Sequence, residues 1–388
     1  MMEKGPISVL VAPLDWGLGH ATRCIPILKE LILQGVRVVV AVNPMQKALL
    51  KSEFSHLEFV EPPGYNIRYQ RGILLKWALL FRIPSVLKQI KRENKWLDDI
   101  LRNHQIDAII SDNRYGLYHN SCMSVFLTHQ LQIQSGVGTS RGIGRLSLTV
   151  GRWLDRKILQ WNYKFISKFS CCWIPDQEGI LSAAGLLSHP SELPSVPVKY
   201  IGILSRFHFS EKKIRQNQLL IILSGPEPQR TEFENILFSQ LANSTINAVV
   251  LRGLPENDQP VPFVGEGIKI WNHLPSGELN ELMNNSENII SRSGYSTIMD
   301  LLTLKKNAIL VPTAGQTEQE YLGRYLHEKK WMYSVDQKNF HLQSAIDAFE
   351  KAALILPEIP DTKLGDVISE FVGEIYLQKN RVKRTTTK

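Results

Sequence analysis

The chain has 388 residues, of which 43% are hydrophobic and 21% charged, with a formal net charge of +8. At roughly 100–200 residues per domain this length predicts two domains with ample cores, and the charge content excludes a disordered chain. The basic balance suits a phosphate-rich partner or an anionic membrane surface and does not by itself call for nucleic acid, so no nucleic-acid partner is expected.

Ile7 to Ala12 is a short apolar run of the kind buried on both faces of a parallel sheet. The glycine-bearing loop Pro13 to Gly19 follows, then the helical pattern HATRCIPILKELILQG, stopped by Gly35, then a second strand, Val36 to Val42. This is a βαβ unit, which implies a parallel sheet with right-handed crossovers. Further strands are read at Leu57 to Val60, Ile106 to Ser111, Met123 to Thr128 and Trp173 to Pro175, and long helices at Gly72 to Asn103 and Gly144 to Lys168.

Between Asp176 and Gln216 the texture turns polar and rich in proline, as in SHPSELPSVPVKY, so the linker is placed there. A second half then starts afresh. Strands are read at Leu219 to Leu223, Ala248 to Leu251, Ile289 to Ser291 and Ala308 to Val311. Helices are read after SGPEPQR and at Leu279 to Asn284, Ser296 to Leu304, Gln319 to Lys329 and Leu342 to Lys351. The expected organisation is a Rossmann-like domain at 1–176, a linker region at 177–216, a second Rossmann-like domain at 217–360, and a helix with a basic tail at 361–388.

The cysteines, Cys24, Cys122, Cys171 and Cys172, form no CxxC pair and no disulfide framework, so they read as buried thiols of a reducing compartment. No signal peptide is expected from MMEKGPISVLVAP, and no run approaches the ~20 apolar residues that span a bilayer. The longest, ILLKWALLFRI, is interrupted by Lys76 and Arg82. A cytoplasmic location is expected.

Open α/β sheets bind ligands at the carboxyl ends of their strands, near the point where strand order reverses. The first such place is DWGLGHATR, Asp15 to Arg23. Gly17 and Gly19 permit a tight turn, and His20 falls at the start of the next helix. The positive end of a helix disfavours an imidazolium, so His20 reads as a neutral base or a direct ligand contact, against a histidine that merely packs. Asp112 ends the strand IDAIIS. In the common doubly wound order that strand lies beside the first, and Asp112 would then meet His20 and orient it; the alternative is a loop or helix-cap aspartate.

In the second half, Ser224 and Gly225 directly follow a strand, where backbone can approach a phosphate. A fuller signal is NIISRSGYSTIMDLL, in which a strand ends and Arg292-Ser293-Gly294 turns into a helix. Backbone N–H groups, the Ser293 hydroxyl and the helix dipole can together hold a diphosphate. Asp300 lies six residues beyond Gly294, and Gln319-Glu320 begin the helix after the next strand.

The Asn288–Tyr321 block resembles the C-terminal donor-binding region of GT-B glycosyltransferases of family 28. The resemblance implies a GT-B fold: α/β, two Rossmann-like parallel-sheet domains facing a central cleft. It implies that Arg292-Ser293-Gly294 meet the donor diphosphate, with Gly19, Ser224 and Gly225 beside it, and that Asp300 binds ribose in place of the family's Glu. His273 and Leu274, in an HLP segment, resemble the loop that packs on the base. Gln319 and Glu320 match the polar pair that reads the sugar, which is Gln-Gln in the type member. Gly17, Gly19 and His20 match the family's glycine-rich loop.

The implied reaction moves a hexose or N-acetylhexosamine from a UDP-sugar to an acceptor hydroxyl, on a glycan or a lipid, without a cofactor, since the UDP-sugar is a substrate. No metal site is expected, because no DxD-like pair stands where a Mg²⁺–diphosphate would need one; Asp98-Asp99 read as solvated helix residues. The same loop, GLGHATR, also resembles the GxGHxxR of a UDP-sugar hydrolase of the GT-B class through Arg23, so a hydrolase or epimerase is the rival reading.

Two stretches are basic and apolar together. RGILLKWALLFRIPSVLKQIKRENKW carries Arg71, Lys76, Arg82, Lys88, Lys91, Arg92 and Lys95 among Trp77, Phe81 and Trp96. RGIGRLSLTVGRWLDRKILQWNYKFISK carries Arg141, Arg145, Arg152, Arg156, Lys157, Lys164 and Lys168. Such helices suit an anionic membrane surface and a peripheral place on the inner face of the plasma membrane, against the ordinary reading of a core stripe with solvated lysines.

Overall fold

The structure is a computed structural model that describes residues 6–64, 83–133, 145–211, 216–255 and 261–386. The chain divides into two units: the first runs to Leu204 and resumes at Pro360, and the second is Ser205–Ile359.

In the first unit the apolar runs form β1 (Ser8–Pro13), β2 (Arg37–Ala41), β3 (Glu58–Val60), β4 (Ala108–Asp112), β5 (Met123–Leu127), β6 (Cys171–Ile174) and β7 (Val198–Tyr200). All pair in parallel, in the order β3-β2-β1-β4-β5-β6-β7, so the sheet is doubly wound and its order reverses between β1 and β4. β1, β4 and β5 are buried along their whole length, which is why their sequences are mostly apolar without alternation, with Ser8, Ser111, Asp112 and Ser124 as buried exceptions.

Helices α1 (Leu18–Leu33), α2 (Pro44–Glu53), α3 (Ile83–His104) and α4 (Arg145–Ile166) alternate with these strands. Residues 72–82 of the expected first long helix, and Gly144 of the second, lie outside the described residues. Leu97, Ile100 and Ile106 close one face of the sheet over Leu10, Val39 and Ile109. The C-terminal helix, Leu364–Thr386, returns to this unit: Phe371 packs edge-on against Trp173 at 5.2 Å, and Glu370 pairs with Lys199 of β7 at 2.6 Å. β7 thus lies within the stretch 177–216 read as linker.

The second unit repeats the plan. Its strands are β8 (Gln216–Ile222), β9 (Ala248–Leu251), β10 (Ile268–Trp271), β11 (Ser286–Ser291), β12 (Ile309–Leu310) and β13 (Tyr333–Ser334). They pair in parallel in the order β10-β9-β8-β11-β12-β13, reversing between β8 and β11. Its helices are α5 (Gln229–Leu241), α6 (Ser276–Asn285), α7 (Tyr295–Thr303), α8 (Thr317–Glu328) and α9 (Leu342–Lys351). Phe233 and Leu237 of α5 and Leu342 and Ile346 of α9 pack with the β8, β9, β11 and β12 side chains into one core. β10 and β13 were not expected from the sequence. Among the described residues no helix is long and apolar enough to cross a membrane.

Candidate functional site

In the first unit the chemistry gathers where strand order reverses. Pro13 of β1 is in register with Asp112 of β4, so the loop after β1 and the end of β4 are neighbours. Gly17 caps α1 at φ 77°, a left-handed conformation that glycine adopts without strain. Gln46 of α2 holds this loop, donating to the Leu14 carbonyl at 2.7 Å and the Gly17 carbonyl at 3.1 Å. Gly19 lies in the first turn of α1, and His20 follows it.

His20 Nδ1 lies 2.9 Å from Asp112 Oδ2. The two expected partners therefore meet, and Asp112 is a fully buried side chain rather than a solvated cap. Arg23, one helical turn beyond His20, completes the group. Its Nε donates to Asp112 Oδ2 at 2.9 Å, its second amino group bonds Asp112 Oδ1, and its first amino group donates to His129 Nδ1 at 2.9 Å.

Burial alone would raise the Asp112 carboxyl, but Arg23 and His20 draw it down to about 2. Burial and then the Arg23 guanidinium hold His20 below the ordinary imidazole range, against the opposing pull of Asp112. His20 Nδ1 is 2.9 Å from an Arg23 amino group as well as from Asp112. A carboxylate only accepts, and that amino group already donates to Asp112 Oδ1. With its proton on Nδ1 the ring donates to Asp112 Oδ2 and leaves Nε2 as an acceptor; with Nδ1 bare it takes the second hydrogen of that Arg23 amino group instead. The His20 side chain keeps 17% of its surface open, so an outer reactant can reach the ring.

In the second unit the Arg292–Gly294 turn follows β11, whose Ser291 is in register with Ile222 of β8. The turn and the Ser224-Gly225 loop are thus neighbours at the reversal point. Gly225 has φ +105°, again a glycine conformation, and a Cβ on it would approach Thr313 Oγ1 at 3.7 Å. That buried hydroxyl has no hydrogen-bond partner among the described residues. Gly294 caps α7 with no side-chain cap, and a Cβ built on it meets nothing within 4 Å. The space beside the Gly294 Cα is therefore open, at the positive end of a helix.

The Arg292 and Ser293 side chains point elsewhere. The Arg292 guanidinium is buried, donates to the Val311 carbonyl at 3.1 Å, the Gln229 carbonyl at 2.9 Å and Gln337 Oε1 at 2.8 Å, and lies 4.3 Å over the Phe233 ring. Ser293 Oγ donates to the Gln319 carbonyl at 2.8 Å. Both side chains brace the turn from inside and are turned away from the space beside Gly294, so a diphosphate bound there would meet backbone rather than the guanidinium or hydroxyl the sequence offered.

Asp300, on α7, accepts from Ser205 Oγ at 2.5 Å. Burial pushes its carboxyl up to about 6, against the Arg206 charge and the Ser205 hydroxyl. His273 follows β10 and is half-buried; burial, then Arg206, lowers it from the imidazole value. The neighbouring Leu274 is buried at 7% exposure. Arg206 therefore acts on both expected nucleoside residues, and sequence reasoning missed it because it lies in the stretch read as linker.

Gln319 is buried and its amide is engaged within its own loop, accepting from Thr313 N at 2.9 Å and donating to Gln316 Oε1 at 2.7 Å. Glu320 is exposed, and its carboxylate accepts from Gly315 N at 2.8 Å. Of the expected sugar-reading pair, Glu320 is the member that presents its side chain outward.

Comparison with known proteins agrees with this plan. Residues 211–358 match the model of the glycosyltransferase family 28 C-terminal domain. No curated protein sequence matches the chain. The glycosyltransferase SnogD from Streptomyces nogalater superposes with a TM-score of 0.62 at 13% identity, over 95% of this chain and 100% of that one. The spinosyn rhamnosyltransferase SpnG, solved with thymidine diphosphate, gives 0.58 at 15% identity over 98% and 100%. MurG from Acinetobacter baumannii gives 0.50 at 14% identity over 89% and 90%. The chain has the GT-B fold of the glycosyltransferases, and residues 211–358 of its second half resemble a family 28 C-terminal domain.

Proposed function

We propose that the protein transfers a hexose or N-acetylhexosamine from a UDP-sugar to an acceptor hydroxyl, without a metal ion. The observation that carries the reading is the open helix start at Gly294, which lies within the stretch that resembles the family 28 domain and at the reversal point of its sheet. The second unit takes the donor. The diphosphate lies on the first turn of α7 and the Ser224-Gly225 loop, the base on His273-Leu274, the ribose on Asp300, and a sugar hydroxyl on Glu320. Arg206 adds a fixed positive charge beside the nucleoside residues. That charge and the helix start compensate the leaving UDP, which is the role a metal would otherwise fill.

The first unit supplies the base. An acceptor hydroxyl attacks the anomeric carbon, the bond from that carbon to the diphosphate oxygen breaks, and the hydroxyl proton passes to His20 Nε2. Asp112 holds the ring in the tautomer this step needs. The acceptor is a glycan or a lipid. A peripheral membrane place is supported by α3, where Lys88, Lys91, Arg92 and Lys95 are exposed beside Leu87 while Ile90 and Leu97 are buried. α4 adds Trp153, 61% exposed, with Lys157 over its ring at 6.0 Å. Arg71, Lys76, Trp77, Phe81, Arg82 and Arg141 lie outside the described residues.

The test is a thermal-shift screen against UDP, GDP, dTDP and their sugars, followed by product analysis with the best donor. Transfer to an added acceptor supports the proposal. Free sugar alone makes the protein a hydrolase, an isomerised donor makes it an epimerase, and no shift with any nucleotide overturns the donor site.

A further inference from the structure

A histidine paired with a carboxylate has a built-in conflict. The carboxylate that orients the ring also attracts a proton to it, so an isolated His–Asp pair tends towards imidazolium. An imidazolium cannot accept the proton of an attacking hydroxyl. The pair at the end of β4 is not isolated, however. Both Asp112 oxygens are taken by the Arg23 fork, and both side chains are buried, at 0% and 2% exposure. Removed from water, these opposite charges act on the ring almost as a neutral unit.

We propose that Arg23 is a positioning residue: its guanidinium neutralises Asp112, so that the carboxylate orients His20 while the imidazole stays uncharged with Nε2 bare. The inference rests on the reading of His20 as base and adds the device that keeps that base ready. The charged and titratable groups found against the ring among the described residues each have a place in it. Arg23 and Cys24 come from α1, Asp112 from β4, and His129 from the segment after β5. The Cys24 thiol, 3.9 Å from Asp112 Oδ2, is pushed up by burial and stays neutral.

His129 fixes the third side of the fork. A guanidinium donates and never accepts, so the 2.9 Å contact is a hydrogen bond to a bare Nδ1 of His129. A lysine at this position would carry the charge but could not reach two carboxylate oxygens and a second histidine from one rigid plane. The sequence spacing makes the device possible: Arg23 is three residues beyond His20, on the same helix face.

The experiment needs neither donor nor acceptor. Long-range ¹H–¹⁵N spectra of the full chain labelled at histidine nitrogens report tautomer and charge, with His20→Gln to assign the ring. In the wild type at pH 7, His20 should be neutral with its proton on Nδ1, and His129 should carry its proton on Nε2. In Arg23→Gln the proton affinity of His20 should rise about tenfold or more, because Asp112 then acts on it uncompensated. In Arg23→Gln/Asp112→Asn that rise should disappear.

A folded Arg23→Gln protein whose His20 titrates as in the wild type overturns the proposal. So does a wild-type His20 that is charged at pH 7 or protonated on Nε2, and this second result decides the matter even if Arg23→Gln fails to fold. Once a donor is found, the acid limb of the turnover profile should move to higher pH in Arg23→Gln, whereas a merely structural loss would lower turnover equally at all pH values. Failure of the transferase assay with these spectra intact removes the proposed function and leaves the charge device standing.

Discussion

Replacing Gly294 by leucine separates a nucleotide site from a structural turn. Gly294 has φ −70° and ψ 138°, extended backbone that any residue adopts, and a Cβ there meets nothing within 4 Å. No backbone strain and no clash are introduced. Losing glycine at a helix cap costs up to about 1 kcal/mol, and the stiffer unfolded chain returns about 0.4–1 kcal/mol, so the fold should change by less than about 1 kcal/mol. For a unit of this size that is a melting shift of no more than about 4 °C. A leucine side chain in that space displaces a phosphate from the backbone N–H groups it would otherwise approach.

Each hydrogen bond to a charged group contributes about 1.5–3 kcal/mol, so losing one raises the Kd for UDP roughly ten- to a hundredfold. Calorimetric titration with UDP reads the affinity, and a melting curve reads the fold. Gly323→Ala is the contrasting variant, because its Cβ would come within 2.7 Å of both Pro312 Cγ and Ser334 Oγ. Overpacking of that kind costs about 1–3 kcal/mol and should lower the melting temperature. Unchanged UDP affinity in Gly294→Leu would put the diphosphate elsewhere. A large loss of stability in Gly294→Leu would contradict the open space from which the reasoning starts.

The other expectations are quicker to state. His20→Ala should lower turnover about 10²–10⁴-fold while UDP affinity, set by the second unit, stays within error; a variant with normal turnover and only a weaker donor KM would remove His20 as base. Asp300→Asn should weaken UDP binding yet raise the melting temperature at pH 8. The folded carboxyl sits at about 6 against 3.8 for a free aspartate, so its ionisation costs stability above pH 3.8, fully so above pH 6, and the gain from the amide should vanish below pH 3.8. Equal gains at pH 3.5 and pH 8 would refute the assignment. Reversing the charges of Lys88, Lys91 and Arg92 should reduce binding to anionic vesicles, as should added salt; a wild-type protein that ignores such vesicles at low salt makes these lysines ordinary solvated residues.

What the sequence made legible follows from where each signal originates. Strands buried on both faces, such as Val9 to Ala12 and Ala248 to Leu251, must be apolar throughout, and they stand out at sight. Strand β10 does not. Its residues alternate between half-buried and exposed, so IKIW reads as surface. β13 is two residues long, and its pairing with β12 depends on the whole sheet being present. β7 follows a proline-rich stretch and is three half-buried residues, so its local composition reads as loop while the sheet edge and the C-terminal helix decide its conformation.

At the site the same division falls between backbone and side chain. The positions of turns were legible, because a strand–glycine–helix sequence fixes where backbone must be exposed at a sheet's carboxyl edge. The directions of the side chains were not. Arg23 and Arg292 illustrate why. Both are arginines in or beside a turn at a reversal point, and both are nearly inaccessible. Arg292 meets carbonyl oxygens and the Phe233 ring, so burial draws its guanidinium down to about 10 and its work is to hold the turn. Arg23 meets a carboxylate contributed 89 residues away and a histidine 106 residues away. Only the register that sets Pro13 beside Asp112 brings those partners within reach. A charge is read from the sequence at once, but what it compensates is decided by strand order.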